Sequence, residues 1–237
     1  FLQSTSTDFA FTEKVIDIET PWDDFSVGYL ESGDFDGDGD DDLIWGQDRA
    51  HSGSPIVVAE VVASTGSILS QKQLTNLSGG EVRSIVTWDM DDDGEEDAAV
   101  AIATRPAGSL LSGTEERPVG IAVVLSPLSL EAEAYLPTGF ASGEGRYLAT
   151  ADFNGDGNGD LAASSSNGEF VLLFGDGHGS FEDSGMSWLL PTVEGSWPSR
   201  SHAIAAADIN GDGLAEVFMG DLGANPQSVV IWLNASR

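Results

Sequence analysis

Four segments of the chain repeat one pattern of oxygen-bearing side chains over nine residues. Each segment carries Asp, Asn or Glu at positions 1, 3, 5 and 9 and glycine at position 6. These segments, named loops one to four, span residues 34–42, 89–97, 152–160 and 208–216. Oxygen ligands without histidine or cysteine favour calcium, because zinc prefers nitrogen or sulfur and magnesium requires stricter octahedral geometry. The pattern therefore predicts one structural Ca²⁺ site in each of the four loops.

Each ion is expected to be held by the side chains at positions 1, 3, 5 and 9 and by the backbone carbonyl at position 7. The predicted ligands are Asp34, Asp36, Asp38, Asp40 and Asp42 in loop one, Asp89, Asp91, Asp93, Glu95 and Asp97 in loop two, Asp152, Asn154, Asp156, Asn158 and Asp160 in loop three, and Asp208, Asn210, Asp212, Leu214 and Glu216 in loop four. The carbonyl is assigned at position 7 because the side chain of Leu214 cannot coordinate an ion. Glycine at position 6 permits the positive φ that folds the chain around an ion, and the apolar residue at position 2 is expected to anchor each loop in the core.

The loops differ from an EF-hand, which needs glutamate at position 12 and flanking helices. Position 12 here is Trp45, Val100, Ala163 or Met219. The alternative of solvated acidic turns without an ion would leave many carboxylates to repel one another. Loops one and three match the pattern best, because loop two has Asp92 instead of glycine at position 4 and loop four ends in the longer Glu216.

Short apolar runs flank each loop and predict an all-β repeat protein. The loops begin 55, 63 and 56 residues apart, which indicates one supersecondary unit copied four times. Each unit is predicted to be a four-stranded meander, and the four units to form one β-propeller domain over residues 1–237. The predicted blades are 27–74, 82–136, 145–189 and 202–233, and the strand-like segment 9–18 is expected to complete the last blade so that no edge stays unpaired. The alternative is half of an eight-bladed ring formed by two chains.

The composition excludes several classes of partner. Forty acidic residues against nine basic ones give a formal net charge of −31, which opposes attraction to nucleic-acid backbones and to anionic membranes. The chain has no cysteine, so neither disulfides nor thiolate metal sites are available. No apolar stretch approaches the roughly 18 residues of a membrane span, so no membrane insertion is expected. Phe1 does not open a signal peptide, and the chain is therefore expected to be processed or excised.

The loops, the leucines that follow loops one and three (Leu43 and Leu161), and the glycine-rich turn 174–181 resemble the FG-GAP and VCBS repeat families. The resemblance spans nearly the whole chain, although unit two keeps only the ligand pattern. It implies a β-propeller with calcium in the hairpin between the first two strands of a blade, as in integrin α-chain heads and some fungal lectins. It also implies extracellular adhesion or ligand binding, and it extends to propellers attached to polysaccharide lyases.

A set of mostly basic residues is the predicted partner site. Six residues before the first Asp of each loop stand Gly28, Arg83, Arg146 and His202, and Arg200 lies two residues before His202. On the innermost strand of each blade, the basic side chains are expected to converge at the channel mouth opposite the loops and to bind a carboxylate or sulfate. Local pairing with neighbouring acidic residues is the alternative.

Tryptophans provide a second set of candidates. Trp22, Trp188 and Trp197 lie in or beside connections rich in Pro, Gly and Ser, where an exposed ring stacks on a sugar and a buried one packs between blades. Trp45, Trp88 and Trp232 lie in strand runs and are expected in the core.

Three functions follow from these features. The first is an extracellular, calcium-stabilised module that binds a glycan or a protein without catalysis. The second is a polysaccharide lyase or another carbohydrate-active propeller enzyme, and the third is a structural subunit of a surface assembly built from copies of the chain. Catalysis has the weakest support, because His51, His178 and His202 stand in no nucleophile or metal motif and calcium-ligand spacing explains the paired carboxylates.

Overall fold

A computed structural model describes the chain at residues 27–47, 56–62, 67–73, 80–104, 120–126, 133–135, 145–165, 168–190, 201–221 and 228–234. These ranges contain fifteen β-strands and no helix. They accordingly hold no helical segment of the length and apolarity needed to cross a membrane. The all-β prediction is confirmed.

The strands form four antiparallel sheets, each named a blade, in which neighbours in sequence pair with one another. Blade one contains β1 (Val27–Gly33), β2 (Asp42–Gln47), β3 (Ile56–Val62) and β4 (Ser67–Gln73). Blade two contains β5 (Gly80–Trp88), β6 (Asp97–Thr104), β7 (Gly120–Val124) and β8 (Glu133–Tyr135). Blade three contains β9 (Gly145–Ala151), β10 (Asp160–Ser165), β11 (Glu169–Gly175) and β12 (Phe181–Leu189), and blade four contains β13 (Ser201–Ala207), β14 (Glu216–Asp221) and β15 (Ser228–Trp232). The segment 9–18, predicted to complete blade four, lies outside the described residues.

Apolar clusters between neighbouring sheets hold the blades together. Successive residues of a strand point to opposite faces, so Val100 of β6 packs with blade one whereas the adjacent Ala101 packs with blade three. A third cluster joins Phe153 and Phe170 of blade three to Val217 of blade four. The first strands lie side by side in the order β1, β5, β9 and β13. The blades therefore follow one another as in a propeller.

The position-2 residue of a loop belongs to the interface with the next blade. Phe35, Met90 and Phe153 are 0%, 2% and 4% exposed and lie in the first, second and third clusters respectively. The prediction that this residue anchors the loop in the core is confirmed for these three and wrong for Ile209, which is 55% exposed. The reason is that the described residues contain no blade after blade four to cover Ile209.

The same face of blade four carries further exposed apolar side chains. Ala205, Phe218 and Ile231 form one cross-strand row, and Ile231 and Val229 are 45% and 65% exposed. In the described strands, β13 and β1 lack a contact comparable to those between successive blades. This uncovered surface, formed by Ala205, Ile209, Phe218, Val229 and Ile231, is named the end face.

Candidate metal centre

All four loops lie at the same place in a blade, the hairpin between its first two strands. The residue at position 9 of each loop pairs across the hairpin with the residue just before position 1. The pairs are Asp42 with Gly33, Asp97 with Trp88, Asp160 with Ala151, and Glu216 with Ala207. Backbone hydrogen bonds link adjacent blades near these hairpins, since Glu96 N donates to Asp34 O (2.9 Å) and Gly179 N donates to Met90 O (3.0 Å). The loops thus occupy equivalent corners of the blades.

One hydrogen-bond scheme recurs inside the loops. The position-1 carboxylate accepts the position-6 N–H at 2.9–3.0 Å in all four copies, from Gly39, Gly94, Gly157 and Gly213. The position-5 carboxylate accepts the position-7 N–H at 2.8–3.0 Å, again in all four. The position-6 glycines have φ between +89° and +92°, as the sequence predicted. Asp92 adopts φ of +60°, close to the values of Gly37, Gly155 and Gly211 at the same position 4, so loop two keeps the shared backbone.

The position-9 carboxylate holds loops two and three to the third strand of their blades. Asp97 accepts N–H groups from Met90 (2.8 Å) and Ser126 (2.7 Å), one on each oxygen. Asp160 likewise accepts from Phe153 (2.8 Å) and Gly175 (2.9 Å). Sequence reasoning assigned position 9 only as an ion ligand and missed this structural role. In both loops one partner is the backbone N–H of position 2 and the other a backbone N–H at the end of the third strand, and neither leaves a signature in side-chain types.

Glu216 occupies position 9 of loop four with a longer side chain. Its two oxygens accept Ile209 N–H at 2.9 Å and the Asn210 side-chain amide at 2.8 Å. The extra methylene therefore lets the carboxylate bond within loop four.

Burial and hydrogen bonding move the carboxyl pKa values in opposite directions. Burial raises the pKa of Asp97 from 3.8 to about 6, although the N–H donors of Ser126 and Met90 oppose this change. Burial also raises the pKa of Asp160 and of Asp91. In the exposed part of loop four, N–H donation from Gly213 and Gly211 lowers the pKa of Asp208. Burial thus leaves the negative charges of Asp91, Asp97 and Asp160 poorly stabilised by the protein alone.

The donor set of loops one and two fits a hard cation. Asp34, Asp36 and Asp38 each place a carboxylate oxygen within 4.8 Å of the other two, and so do Asp89, Asp91 and Asp97. Oδ1 of Asp34 and Oδ1 of Asp91 are shielded from solvent and accept no hydrogen bond from the described residues. A buried carboxylate oxygen without a donor is costly, and a divalent cation would satisfy it. The oxygen-only donor set can therefore hold a divalent metal ion.

The predicted partner-site residues lie at irregular points of the first strands. The pairing register shifts between Val27 and Tyr29, between Val82 and Ser84, and between Ser201 and Ile204. In blade three, Ser164 pairs with Tyr147 and Ser165 with Gly145. The residues bypassed by these shifts include Gly28, Arg83, Arg146 and His202. A β-bulge of this kind redirects a side chain and often adjoins a functional site.

Arg83 is half-buried and has bonding partners. The side chains of Arg146 and His202 lie outside the described part of the structure, as do Arg200, Trp22 and Trp197 altogether.

Two tryptophans have surroundings that bear on the sequence predictions. The half-buried Trp188 stacks on Phe170 with ring centroids 4.9 Å apart and planes 12° apart. Trp88, expected in the core, is instead 37% exposed at the end of β5, and a Cβ on Gly159 would strike its ring. That expectation was wrong because Trp88 closes a strand beside the loops rather than lying between sheets.

Two family models match the chain. An FG-GAP-like repeat model matches residues 138–219, which include loops three and four, and an FG-GAP repeat model matches residues 30–58, which include loop one. A search of curated proteins found no match.

Solved structures with a similar fold share little sequence with the chain. An exotype rhamnogalacturonan lyase, YesX, is 19% identical with a TM-score of 0.52, and the match covers 81% of this chain and 38% of that one. The N-terminal part of BBS1, solved in complex with ARL6, is 11% identical with a TM-score of 0.50 over 91% of this chain and 53% of that one. The Dos1 propeller is 11% identical with a TM-score of 0.50 over 88% of this chain and 43% of that one. The chain thus spans 38–53% of the length of these structures, and the likeness shows the propeller fold alone.

Proposed function

Since the chain is an FG-GAP-like repeat protein with a propeller fold, we propose that it is an extracellular binding module stabilised by calcium and without catalytic activity. The observation that carries the proposal is one loop geometry repeated at the same hairpin of all four blades, with buried carboxylate oxygens in loops one and two that accept no hydrogen bond from the part of the chain that the structure describes. The ions would be held by the residues predicted from the sequence, with the carbonyl of position 7 as the fifth oxygen donor of each loop. A calcium ion there would neutralise the carboxylate charges and be coordinated by the oxygens of the loop.

Calcium in this role stabilises the folded state because the unfolded chain holds no preformed loop. A ligand that binds only the folded state adds RT ln(1 + [L]/Kd), about 2.7 kcal/mol for one site when the ligand concentration is one hundred times Kd. Several such sites would supply a large part of the 5–15 kcal/mol typical of a domain.

The partner in this proposal is an anionic glycan or an acidic group on an extracellular protein. Arg83 and Arg146 lie at bulges on neighbouring strands, since Leu148 N donates to Ser84 Oγ at 3.1 Å between β9 and β5. Six residues of strand, roughly 20 Å, separate each arginine from its loop. Guanidinium groups bind carboxylates and sulfates through paired N–H donors. The chain has a net charge of −31 and repels anions as a whole, so these two arginines would provide a local positive site for an anion.

The lyase alternative has no comparable support. The similarity to YesX is one of fold at 19% identity, and burial accounts for the raised pKa values of Asp97 and Asp160, which lie at position 9 of their loops. A structural subunit built from copies of the chain remains the alternative for the end face, and the mass of the protein in solution distinguishes it.

The proposal is tested first by calcium titration. Protein stripped with EDTA should take up four calcium ions in a calorimetric titration, and its melting temperature should rise as they bind. Asp212→Asn should remove one ion, whereas Glu182→Asn, which alters an exposed acid outside the loops, should leave the stoichiometry unchanged. An EDTA-treated protein that melts at the same temperature with and without millimolar calcium would refute the metal part of the proposal.

The partner is tested on a glycan array that includes uronic-acid and sulfated sugars, with calcium present. Binding should be lost in Arg83→Gln and Arg146→Gln variants whose calcium-dependent melting is intact. Retained binding in both variants, or release of unsaturated sugar ends from an acidic polysaccharide, would contradict the assignment of this surface or of a non-catalytic role respectively.

A further inference from the structure

Neighbouring loops touch through a contact that occurs twice. Glu95, at position 7 of loop two, lies over Gly37, at position 4 of loop one: a Cβ built on Gly37 would be 2.8 Å from Glu95 Oε1 and 3.2 Å from Cγ. Leu214, at position 7 of loop four, lies over Gly155, at position 4 of loop three, where the same Cβ would be 3.0 Å from Leu214 Cδ2. In both pairs, therefore, the side chain at position 7 leaves its own loop and covers the preceding one.

The two contacts differ in chemistry. The contact between loops three and four is apolar, whereas the contact between loops one and two places the Glu95 carboxylate over the turn that carries Asp34, Asp36 and Asp38. Glu95 Oε2 and Asp34 Oδ1 are both shielded from solvent and accept no hydrogen bond from the described residues. The backbone bond from Glu96 N to Asp34 O (2.9 Å) holds the two loops together at this point. Like charges brought together without donors are unfavourable unless a cation lies between them.

We propose that the Glu95 carboxylate is a ligand of the calcium ion at loop one, while the backbone of the same residue belongs to loop two, so that these two ions bind as a coupled pair across the boundary of blades one and two. The proposal rests on the calcium binding proposed above. Ordering of loop two by its own ion fixes the position of Glu95 and so raises the affinity of loop one, and linkage requires the reverse effect to be equal. Loops three and four are not coupled in this way, because Leu214 brings no oxygen.

The direct test compares Glu95→Gln with Glu96→Gln by calcium titration. Both variants remove one negative charge beside loop one, since a Cβ on Gly33 would also meet the Glu96 carboxylate, but only Glu95 lies over the ion-binding turn. Glu95→Gln should weaken the site at loop one by about tenfold or more, the size of effect that removal of a supporting group has in metal sites, and the site at loop two should weaken by the coupling that is lost with it. Glu96→Gln should change every site by less than about threefold. Equal effects of the two variants would overturn the proposal.

A second background assigns the affected ion. Asp38→Asn should abolish the site at loop one, and adding Glu95→Gln to that variant should then produce no further weakening. Further weakening at another loop would overturn the assignment to loop one. If the unaltered protein binds no calcium, the proposed function fails as well, so the two failures are distinguishable.

Thermal melting separates a ligand from a packing residue. Glu95→Leu places at this position the residue that loop four already accommodates on the same backbone. Without calcium, Glu95→Leu should melt at or above the temperature of the unaltered chain, because a repulsive charge is gone, and its gain in melting temperature on adding calcium should be smaller. A residue that acts only through packing would instead lower the melting temperature equally in both conditions, and that result would overturn the proposal.

Discussion

Truncation of the position-2 residues in loops three and four tests how the blade array ends. Phe153 is 4% exposed and packs in the cluster that blade four completes, whereas the equivalent Ile209 is 55% exposed on the end face. Phe153→Ala removes a buried ring and leaves a cavity between two sheets. Ile209→Ala removes atoms that are mostly in contact with water.

The expected magnitudes differ severalfold. A buried phenylalanine replaced by alanine costs about 3–5 kcal/mol, and in a chain of this size each kcal/mol shifts the melting temperature by about 2–4 °C. Phe153→Ala should therefore lower the melting temperature by about 6–20 °C. Surface substitutions away from special features stay within about 0.5 kcal/mol, and the partial burial of Ile209 raises this only to about 1 kcal/mol. Ile209→Ala should accordingly shift the melting temperature by less than about 4 °C.

The assay is thermal unfolding in saturating calcium, followed by circular dichroism at two protein concentrations. The reasoning is refuted if Ile209→Ala costs as much as Phe153→Ala, because the end face would then be covered in solution. If the loss in melting temperature of Ile209→Ala is that large and grows with protein concentration, a second copy of the chain covers the end face. If the loss is that large and independent of concentration, a segment of the same chain covers it.

Three further predictions concern single positions. Gly46→Ala should destabilise the protein by about 1–3 kcal/mol, because its Cβ would strike Val82 of blade two, whereas Gly220→Ala at the equivalent place in blade four meets open space and should be nearly neutral in the same melting assay. Asp97→Asn should cost about 1–3 kcal/mol in EDTA, since its amide N–H₂ would face the Ser126 or Met90 N–H in place of an acceptor. An unchanged denaturation midpoint would contradict a stabilising role for these two hydrogen bonds. Because the pKa of Asp97 is raised from 3.8 to about 6 in the fold, the folded chain retains a proton that the unfolded chain has released between those values. Melting temperature in EDTA should therefore fall as pH rises from about 4 to about 6, and a rise across that window would contradict this.

The loops and the meander were predictable because their determinants are local in sequence. Nine consecutive residues specify each loop, and the left-handed turns fall on the glycines that the pattern marks. Short apolar runs on both sides specify the strands in the same way. Asp92, which replaces glycine at position 4 of loop two, has no consequence for the backbone, since aspartate tolerates the left-handed conformation better than most residues.

The remaining features depend on what lies beside a loop rather than within it. One backbone N–H group that Asp97 accepts comes from Ser126, 29 positions later in the chain, and one that Asp160 accepts comes from Gly175, 15 positions later. The exposure of Ile209 could not be predicted, because an apolar residue at position 2 is buried only when another blade follows. Three copies of the pattern favoured the core, and the fourth has the same sequence character in a different environment.

Position 7 shows how a repeat comparison can hide a difference between blades. Its side chain varies among Asp40, Glu95, Asn158 and Leu214, and within a single loop this variation indicates only that the carbonyl is the relevant donor. In the assembled blades the position-7 side chain contacts different residues in different loops. Glu95 and Leu214 reach the preceding loop, while Asn158 turns to Gly177 in its own blade, where a Cβ would be 2.7 Å from Asn158 Oδ1. Because the hydrogen bonds of the loop use the backbone N–H of this residue, substitutions at position 7 can alter the contact between blades without disturbing the backbone of the turn. The least regular position of the repeat is therefore the one where each blade can acquire a separate dependence on its neighbour.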